Sequence, residues 1–408
     1  REASGLLHLV GILCAVYNDE YGALLIDEPE VSLHPQLQAF LLGEMQRVCG
    51  TPQPNGNQKI IVIATHSTEL VQLASTADLP SIVFCYDLRN APVQVQASAG
   101  ELANKKIRNL VARLGQEHKL ALFSKRPLLV EGPSDSIVCS ALSRRLELHL
   151  EAAGSQLLPV IGTGQMPVVV KFMRMLGKAP VVLADADAVA DGLELANEFV
   201  AHDSAAQRMA EDLGFSSPQH LLATGYSSFC NAVDQEWPTI APHAKKHPYW
   251  LTKSADADEL QTKRRAVFGT LFSKHPGILA TVDGNATLRG AKAQLNVLLC
   301  FLEKLGCFIL RLGTIECYYQ VSDPAISIEK ASAAVEEMAH IQALSATDAR
   351  THYADIVRCI QKASDARPII EAEALRDILL SIAAPAVASL RTPGADSTAL
   401  QNMARNIL

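Results

Sequence analysis

The sequence predicts an α/β protein with a parallel sheet, a helical insertion in that sheet and a helical tail. Three observations predict it. Short apolar runs end in acidic residues, as in LLVEGPSD (Leu128 to Asp135) and VVLADADAVADG (Val181 to Gly192). From Pro127 such runs alternate with segments of helical periodicity, the pattern of parallel strands joined by right-handed crossovers. After Val200, and again from Ile328, the strand runs give way to helical patterns.

Composition bounds the answer. The chain has 408 residues, enough for several domains. Its hydrophobic fraction of 49% and charged fraction of 19% are those of a globular protein. A formal net charge of -7 gives no global basic footprint, so nucleic-acid binding needs a local basic face. The nine cysteines form no C-x-x-C pair and read as reduced core residues of a cytoplasmic protein. No signal peptide or run of membrane-spanning length occurs. The chain opens at Arg1 inside a helical pattern, and we expect it to be a fragment of a longer protein.

In the first hundred residues, EASGLLHLVGIL carries Ser4-Gly5 ahead of apolar helical spacing. An apolar strand then ends in Asp27-Glu28-Pro29, followed by Ser32-Leu33-His34-Pro35. A second buried strand, in KIIVIATHSTELV, precedes Thr65-His66-Ser67. In this order the segments resemble the signature helix, Walker B strand, D-loop and H-loop of an ABC-type ATPase head. The resemblance implies that Asp27 holds Mg²⁺ and that Glu28 positions water. It implies that His66 meets the γ-phosphate of ATP and that Ser4 and Gly5 face a partner subunit's nucleotide. No G-x-x-x-x-G-K-[ST] loop occurs, so ATP binding and hydrolysis by this chain alone are not expected. We expect the loop upstream of Arg1. Ser81 to Gln96 alternates like a hairpin, with its turn at Arg89-Asn90-Ala91-Pro92, and is expected to close the ATPase sheet. Gly100 to Phe123 reads as a basic helical connector.

From Pro127 the order is strand, helix, strand, helix, strand. Ser134 is the expected cap of the first helix. Groups just past the carboxyl ends of parallel strands sit where α/β proteins place ligands. Glu131, Asp135, Asp185, Asp187 and Asp191 gather there, and such oxygen ligands suit Mg²⁺ or Mn²⁺. Asp135 and Asp191 have a second reading as helix caps. DADAVADG is no calcium loop, because Ala190 stands where such a loop needs glycine. Glu-Gly after the first strand, glycine after the second and Asp-x-Asp after the third is the motif order of a Toprim domain. This resemblance covers about Arg126 to Val200. It implies a general acid/base or metal role for Glu131 and Mg²⁺ ligation by Asp185 and Asp187. Gly132 would let the backbone approach a phosphate or ion.

Beyond Ala205 the pattern is mainly helical to Gln294. His243 to His275 carries Lys245, Lys246, Lys253, Lys263, Arg264, Arg265 and Lys274, with Tyr249 and Trp250 among them. This is a candidate grip on a phosphate backbone, or a solvated helix face. GCFILRLGTIECYYQ then restores a strand, followed by Gly313 and Glu316. That segment is similar to the closing motif of the OLD (overcoming lysogenization defect) family of nucleases, in which a glutamate joins the metal site. Glu316 is the candidate sixth carboxylate, with a helix cap as its other reading. Lys292 is the candidate cation for the transition state, or an ordinary surface lysine. The tail reads as packed alanine-rich helices with no catalytic constellation.

An ABC head followed by a Toprim domain resembles the architecture of OLD-family nucleases. The resemblance divides the chain into residues 1–103 (the C-terminal part of an ATPase domain), 104–204 (first Toprim part), 205–294 (helical insertion), 295–325 (Toprim return) and 326–408 (helical tail). It implies an ATPase-coupled DNA endonuclease that hydrolyses phosphodiesters with two Mg²⁺ or Mn²⁺ ions, in phage defence or DNA repair. It also implies a homodimer through the ATPase domain and, in systems related to Gabija, a helicase partner. Two other readings stand beside it. One is a topoisomerase-like or primase-like Toprim enzyme, for which Tyr318 and Tyr319 are tyrosines near the site. The other is a DNA-binding scaffold without catalysis.

Overall fold

A computed structural model of the chain describes residues 2–53, 56–86, 91–160, 163–201, 203, 205–321 and 330–364. The chain divides into a large unit, Arg1–Ser364, and a second, Asp365–Leu408, outside the described residues. Gly162, the turn residues Arg89 and Asn90 and the expected helix at 371–390 also lie outside them.

The N-terminal segment is a helix, Glu2–Val16, with two parallel strands, β1 (Ala23–Asp27) and β2 (Ile60–Ala64), paired from Ala23–Ile60 to Asp27–Ala64. Leu24, Ile26, Ile61 and Ile63 face a small core of Leu9, Ile12, Val16, Leu41 and Met45. Leu25, Ile60 and Val62 point the other way and are exposed, although the sequence reads both strands as buried. The expected hairpin forms as β3 (Val83–Phe84) and β4 (Val93–Gln94), but it does not close this sheet. Instead the Tyr86 hydroxyl donates to the Leu176 carbonyl, and Lys178 lies over the Phe84 and Tyr86 rings. Buried apolar packing outweighs the two-residue ladder, so the ribbon follows the larger core.

That core belongs to a four-stranded parallel sheet in the order β6-β5-β7-β8: β5 is Leu128–Val130, β6 Leu157–Pro159, β7 Val181–Ala184 and β8 Cys307–Ile309. Alternate side chains enter two different cores. Leu129, Val182 and Ile309 face the helices Met166–Met175, Glu194–Ala201 and Ala286–Leu305. Leu128, Val181, Leu183 and Phe308 face the helices Pro133–Arg145, Lys330–Ala343 and Ala354–Ser364. A parallel sheet covered on both faces explains why its strands read as unbroken apolar runs. The expected cap at Ser134 is displaced: the helix starts at Pro133, and the Asp135 carboxylate reaches back to the Gly132 amide at 3.0 Å. Proline at the first helical position loses no bond, because that amide would lie unpaired.

The insertion is helical, chiefly Pro218–Ala244, Glu259–Leu271 and Pro276–Gly284, and it returns through Ala286–Leu305, which runs unbroken across position 294 into β8. The described tail helices cover one face of the sheet. The cysteines are all free, but Cys14, Cys49, Cys85 and Cys300 are exposed rather than in the core.

The loop after β8 is pinned from two sides. Arg311 and Arg358 share the carboxylates of Glu303 and Asp355, and the Tyr318 hydroxyl donates to Asp355. On the other side the insertion docks His247, whose Nε2 lies 3.0 Å from the Leu312 carbonyl. Gly313 makes this docking possible. Its φ is +117°, and a Cβ there would stand 2.8 Å from His247 Cε1 and 3.3 Å from Tyr249 Cε2. Gly313→Ala is therefore expected to cost roughly 2–4 kcal/mol, combining strain and overpacking, read as a lowered urea midpoint with an unchanged slope.

Candidate functional site

The sheet delivers its acidic residues to one edge. Glu131 follows the last residue of β5, Asp185 follows β7, and Asp187 opens the short helix Asp187–Ala190. Asp135 lies in the first turn of Pro133–Arg145, and Glu316 in the 3₁₀ turn Ile315–Tyr318 beyond β8. The backbone joins these pieces. The Asp185 amide donates to Glu131 Oε1 at 2.8 Å, and the Ala186 amide donates to the Gly313 carbonyl at 2.8 Å. Sequence reasoning expected Glu131, Asp135, Asp185, Asp187 and Glu316 to form one neighbourhood, and the structure brings them together: the charges of the other four all act on Asp185.

Burial and mutual repulsion set the chemistry. Burial, then the charges of Glu131, Asp135, Asp187 and Glu316, pushes the Asp185 carboxyl well above the usual range. Burial followed by Asp187 raises Glu131, and burial followed by Glu316 raises Asp135. Asp187 is raised by burial, which outweighs the opposing pull of Arg265. Glu316 behaves differently. Burial pushes it up, but the Thr314 hydroxyl and the Lys330 ammonium at 3.0 Å bring it below the usual carboxylate range.

Lys330 is the cation that sequence reasoning missed. It opens the helix Lys330–Ala343, and its charge also reaches Glu131, Asp135 and Asp185. Lys292, the expected cation, is half-buried on Ala286–Leu305 and makes no ion pair among the described residues. A lysine at a helix start has no spacing signature, so only the packing of that helix on Pro133–Arg145 identifies it. Asp191 is also placed differently from the expectation of a metal ligand. Both its oxygens are taken by Arg265, with Nε at 3.0 Å from each, a fork geometry that leaves the carboxylate neutralised. At Gly132 an added Cβ would meet only Asp135 Oδ2, at 3.7 Å, so the chain's own packing does not demand glycine there.

The expected basic surface is divided among several duties. Lys245 and Lys253 lie over the Trp250 ring, and Lys263 over Trp237. Arg264 bonds the Tyr226 hydroxyl, while Arg265 holds Asp191. Lys246 and Lys274 line a cleft of about 660 Å³ beside Leu312 and Cys317, with His243, His247 and His352. Among the described residues no acidic side chain lines this cleft. Tyr249 is turned inward, its hydroxyl buried. Tyr318 and Tyr319 are both buried, and the Tyr318 hydroxyl is bound to Asp355, so neither is presented as a nucleophile.

Among the described residues no three of the carboxylates enclose an ion as they stand. The donor set fits a hard divalent cation in two respects. It is made of carboxylate oxygens, which such ions prefer, and Asp187 Oδ1 is buried without a hydrogen-bond partner. In the N-terminal segment, His66 Nε2 stands 3.8 Å from Glu28 at the ends of β1 and β2. A side chain at Gly5 would collide with the Ser32 carbonyl, so the segment after Ser4 lies directly against the Ser32 turn. Glu28 follows Asp27 with φ +45°, its amide bonded to the Ala64 carbonyl.

Comparison with known proteins agrees with both halves. Residues 2–72 match the model of an AAA domain (putative AbiEii toxin, type IV TA system), which covers Ser4, Gly5, Asp27, Glu28 and His66. Residues 122–187 match the Toprim domain of overcoming lysogenization defect protein-like proteins, which covers Glu131, Asp135, Asp185 and Asp187. The chain is similar to Endonuclease GajA of Bacillus cereus (strain VD045), 28% identical over 155 residues, which are 36% of this chain and 23% of that protein. It is also similar to the OLD nuclease of Thermus scotoductus (strain ATCC 700910 / SA-01), 28% identical over 175 residues, 41% of this chain and 31% of that protein. The matched stretches thus span less than a third of either relative. With an AAA-type segment ahead of a Toprim sheet, and two nucleases among the proteins it resembles, the chain is similar to OLD-family proteins.

Proposed function

We propose that this chain carries the nuclease centre of an ATPase-coupled DNA endonuclease, hydrolysing phosphodiesters with divalent metal ions. One observation carries the reading: carboxylates from three separate stretches of chain are buried together at the strand ends, where their charges repel and Lys330 alone does not balance them. Glu131, Asp135, Asp185, Asp187 and Glu316 would hold Mg²⁺ or Mn²⁺, two ions being within the capacity of five carboxylates. Such ions supply a water acidic enough to attack at neutral pH and offset charge on the leaving oxygen.

The chain's own residues do the rest. The Asp185 amide orients Glu131, and the Gly132 amide orients Asp135, so neither carboxylate is free to swing. Lys330 is held charged beside Glu316 and is the group to meet negative charge developing on the phosphate. The cleft of Lys246 and Lys274 offers the phosphate backbone a route lined, among the described residues, by no acidic side chain. The Asp27, Glu28 and His66 group would serve ATP in a protein that supplies the phosphate loop. A homodimer, a helicase partner and a role in phage defence or repair are extensions of the same reading.

Incubation with supercoiled plasmid tests it. The chain is expected to nick or linearise the plasmid with Mg²⁺ or Mn²⁺ and not with EDTA, and Asp185→Ala/Asp187→Ala should abolish cleavage with an unchanged circular dichroism spectrum. Full activity in that double variant would remove the assignment. Lys330→Ala is expected to lower the cleavage rate by about 10²–10³-fold, whereas Lys292→Ala should stay near the parent rate.

Acidity gives a separate expectation. A carboxyl whose folded-state pKa is raised does not destabilise the fold while protonated. Its cost appears as pH climbs from the ordinary carboxylate range through the raised value. Metal-free protein should therefore melt lower near pH 8 than near pH 5. Mg²⁺ or Mn²⁺ at a hundredfold excess over Kd should restore about 3 °C per bound ion at the higher pH and little at the lower. Equal metal effects at both would exclude these carboxylates as the ligands.

A further inference from the structure

The inserted helical segment sends one side chain into the acidic centre. Tyr249 lies in the short turn Pro248–Leu251, its ring stacked on His247 at 5.4 Å and an interplanar angle of 22°. His247 is in turn anchored on the Leu312 carbonyl, and both rings close over Gly313. Arg265 approaches the Tyr249 ring at 6.0 Å while it forks onto Asp191. The ring therefore has little freedom.

Its hydroxyl has no partner. Tyr249 Oη is buried and accepts or donates no hydrogen bond, and its electrostatic neighbours are Asp185, Asp187 and Glu131. Asp187 Oδ1 is buried and unpartnered as well. One is a donor and the other an acceptor, and both belong to the same charged neighbourhood. Buried polar groups in folded proteins are almost always satisfied, so two complementary orphans in one place point to an arrangement completed by something that binds.

We propose that Tyr249 is a positioning residue of the acidic centre, its hydroxyl donating to the Asp187 carboxylate when a divalent ion draws that carboxylate into place. The insertion is then part of the metal site and not an appendage to the sheet. A donor that fixes a ligand carboxylate, without touching the ion, selects the lone pair the ion receives and sharpens affinity. This rests on reading the acidic centre as a metal site.

Tyr249→Phe keeps the ring, the stacking on His247 and the contact with Gly313, and removes the oxygen alone. Mn²⁺ binding followed by electron paramagnetic resonance is expected to weaken about tenfold, and up to a hundredfold, in this variant. Its melting temperature in EDTA should equal or exceed the parent's, because the deleted hydroxyl bonds nothing in the metal-free protein. Unchanged Mn²⁺ affinity would overturn the proposal. So would a fall in affinity accompanied by a lower melting temperature in EDTA, which marks a packing role. Asp185→Ala/Asp187→Ala, run in parallel, separates the two levels. If that variant binds Mn²⁺ as the parent does, or if the parent binds none, the metal-site reading itself fails. If it loses Mn²⁺ while Tyr249→Phe does not, only the role of Tyr249 is removed.

Discussion

Negative charge crowded at one edge of a buried parallel sheet is the constraint to which the rest of this structure answers. Isolated ionised carboxylates do not survive burial, and they either protonate or find compensation. Here compensation is local and incomplete. A backbone amide serves Glu131, another serves Asp135, Lys330 serves Glu316, and Arg265 pairs with Asp191. Asp185 and Asp187 keep raised pKa values despite this. Such a centre is poor for stability and suited to binding cations, the usual exchange at functional sites.

The surrounding architecture holds that centre open against its own repulsion. The loop that carries Glu316 cannot retreat, because Arg311, Arg358 and Tyr318 tie its flanks to Glu303 and Asp355. From the opposite side His247 and Tyr249 press on Gly313, and the Gly313 carbonyl accepts the Ala186 amide next to Asp185. Insertion, return loop and acidic strand end thus form one chain of contacts. Displacing any member moves a carboxylate.

The hairpin and the connector that follow the N-terminal strands pack into the core of this sheet. Phe84 and Val95 of the hairpin region and Ile107 of the connector share a core with Leu129 and Val182. Lys178, almost fully buried, donates to the Leu122 and Ser124 carbonyls and lies over Tyr86.

The sequence by itself determined the parallel strands, their order along the chain and the acidic residues that end them. Those features are local: apolar runs set strands, crossover helices set parallel pairing, and a residue one step past a strand has its position fixed by the strand. Thus Glu131, Asp185 and Asp187 were legible, and so was Glu316 through the strand before it. The same local logic failed for the hairpin, which followed the larger core, and for Ser134, whose expected cap position went to Gly132. Only the tertiary structure decided which side chains from distant segments meet those carboxylates. Lys330 arrives from a helix laid on the far face of the sheet, and Arg265 and Tyr249 arrive from an insertion folded back over Gly313. Lys292 has the right charge but lies on a helix whose packing gives it no ion pair among the described residues. Charge and residue type are written in the chain, but meetings between distant segments depend on how helices dock, and that is set by core packing, for which no short motif stands.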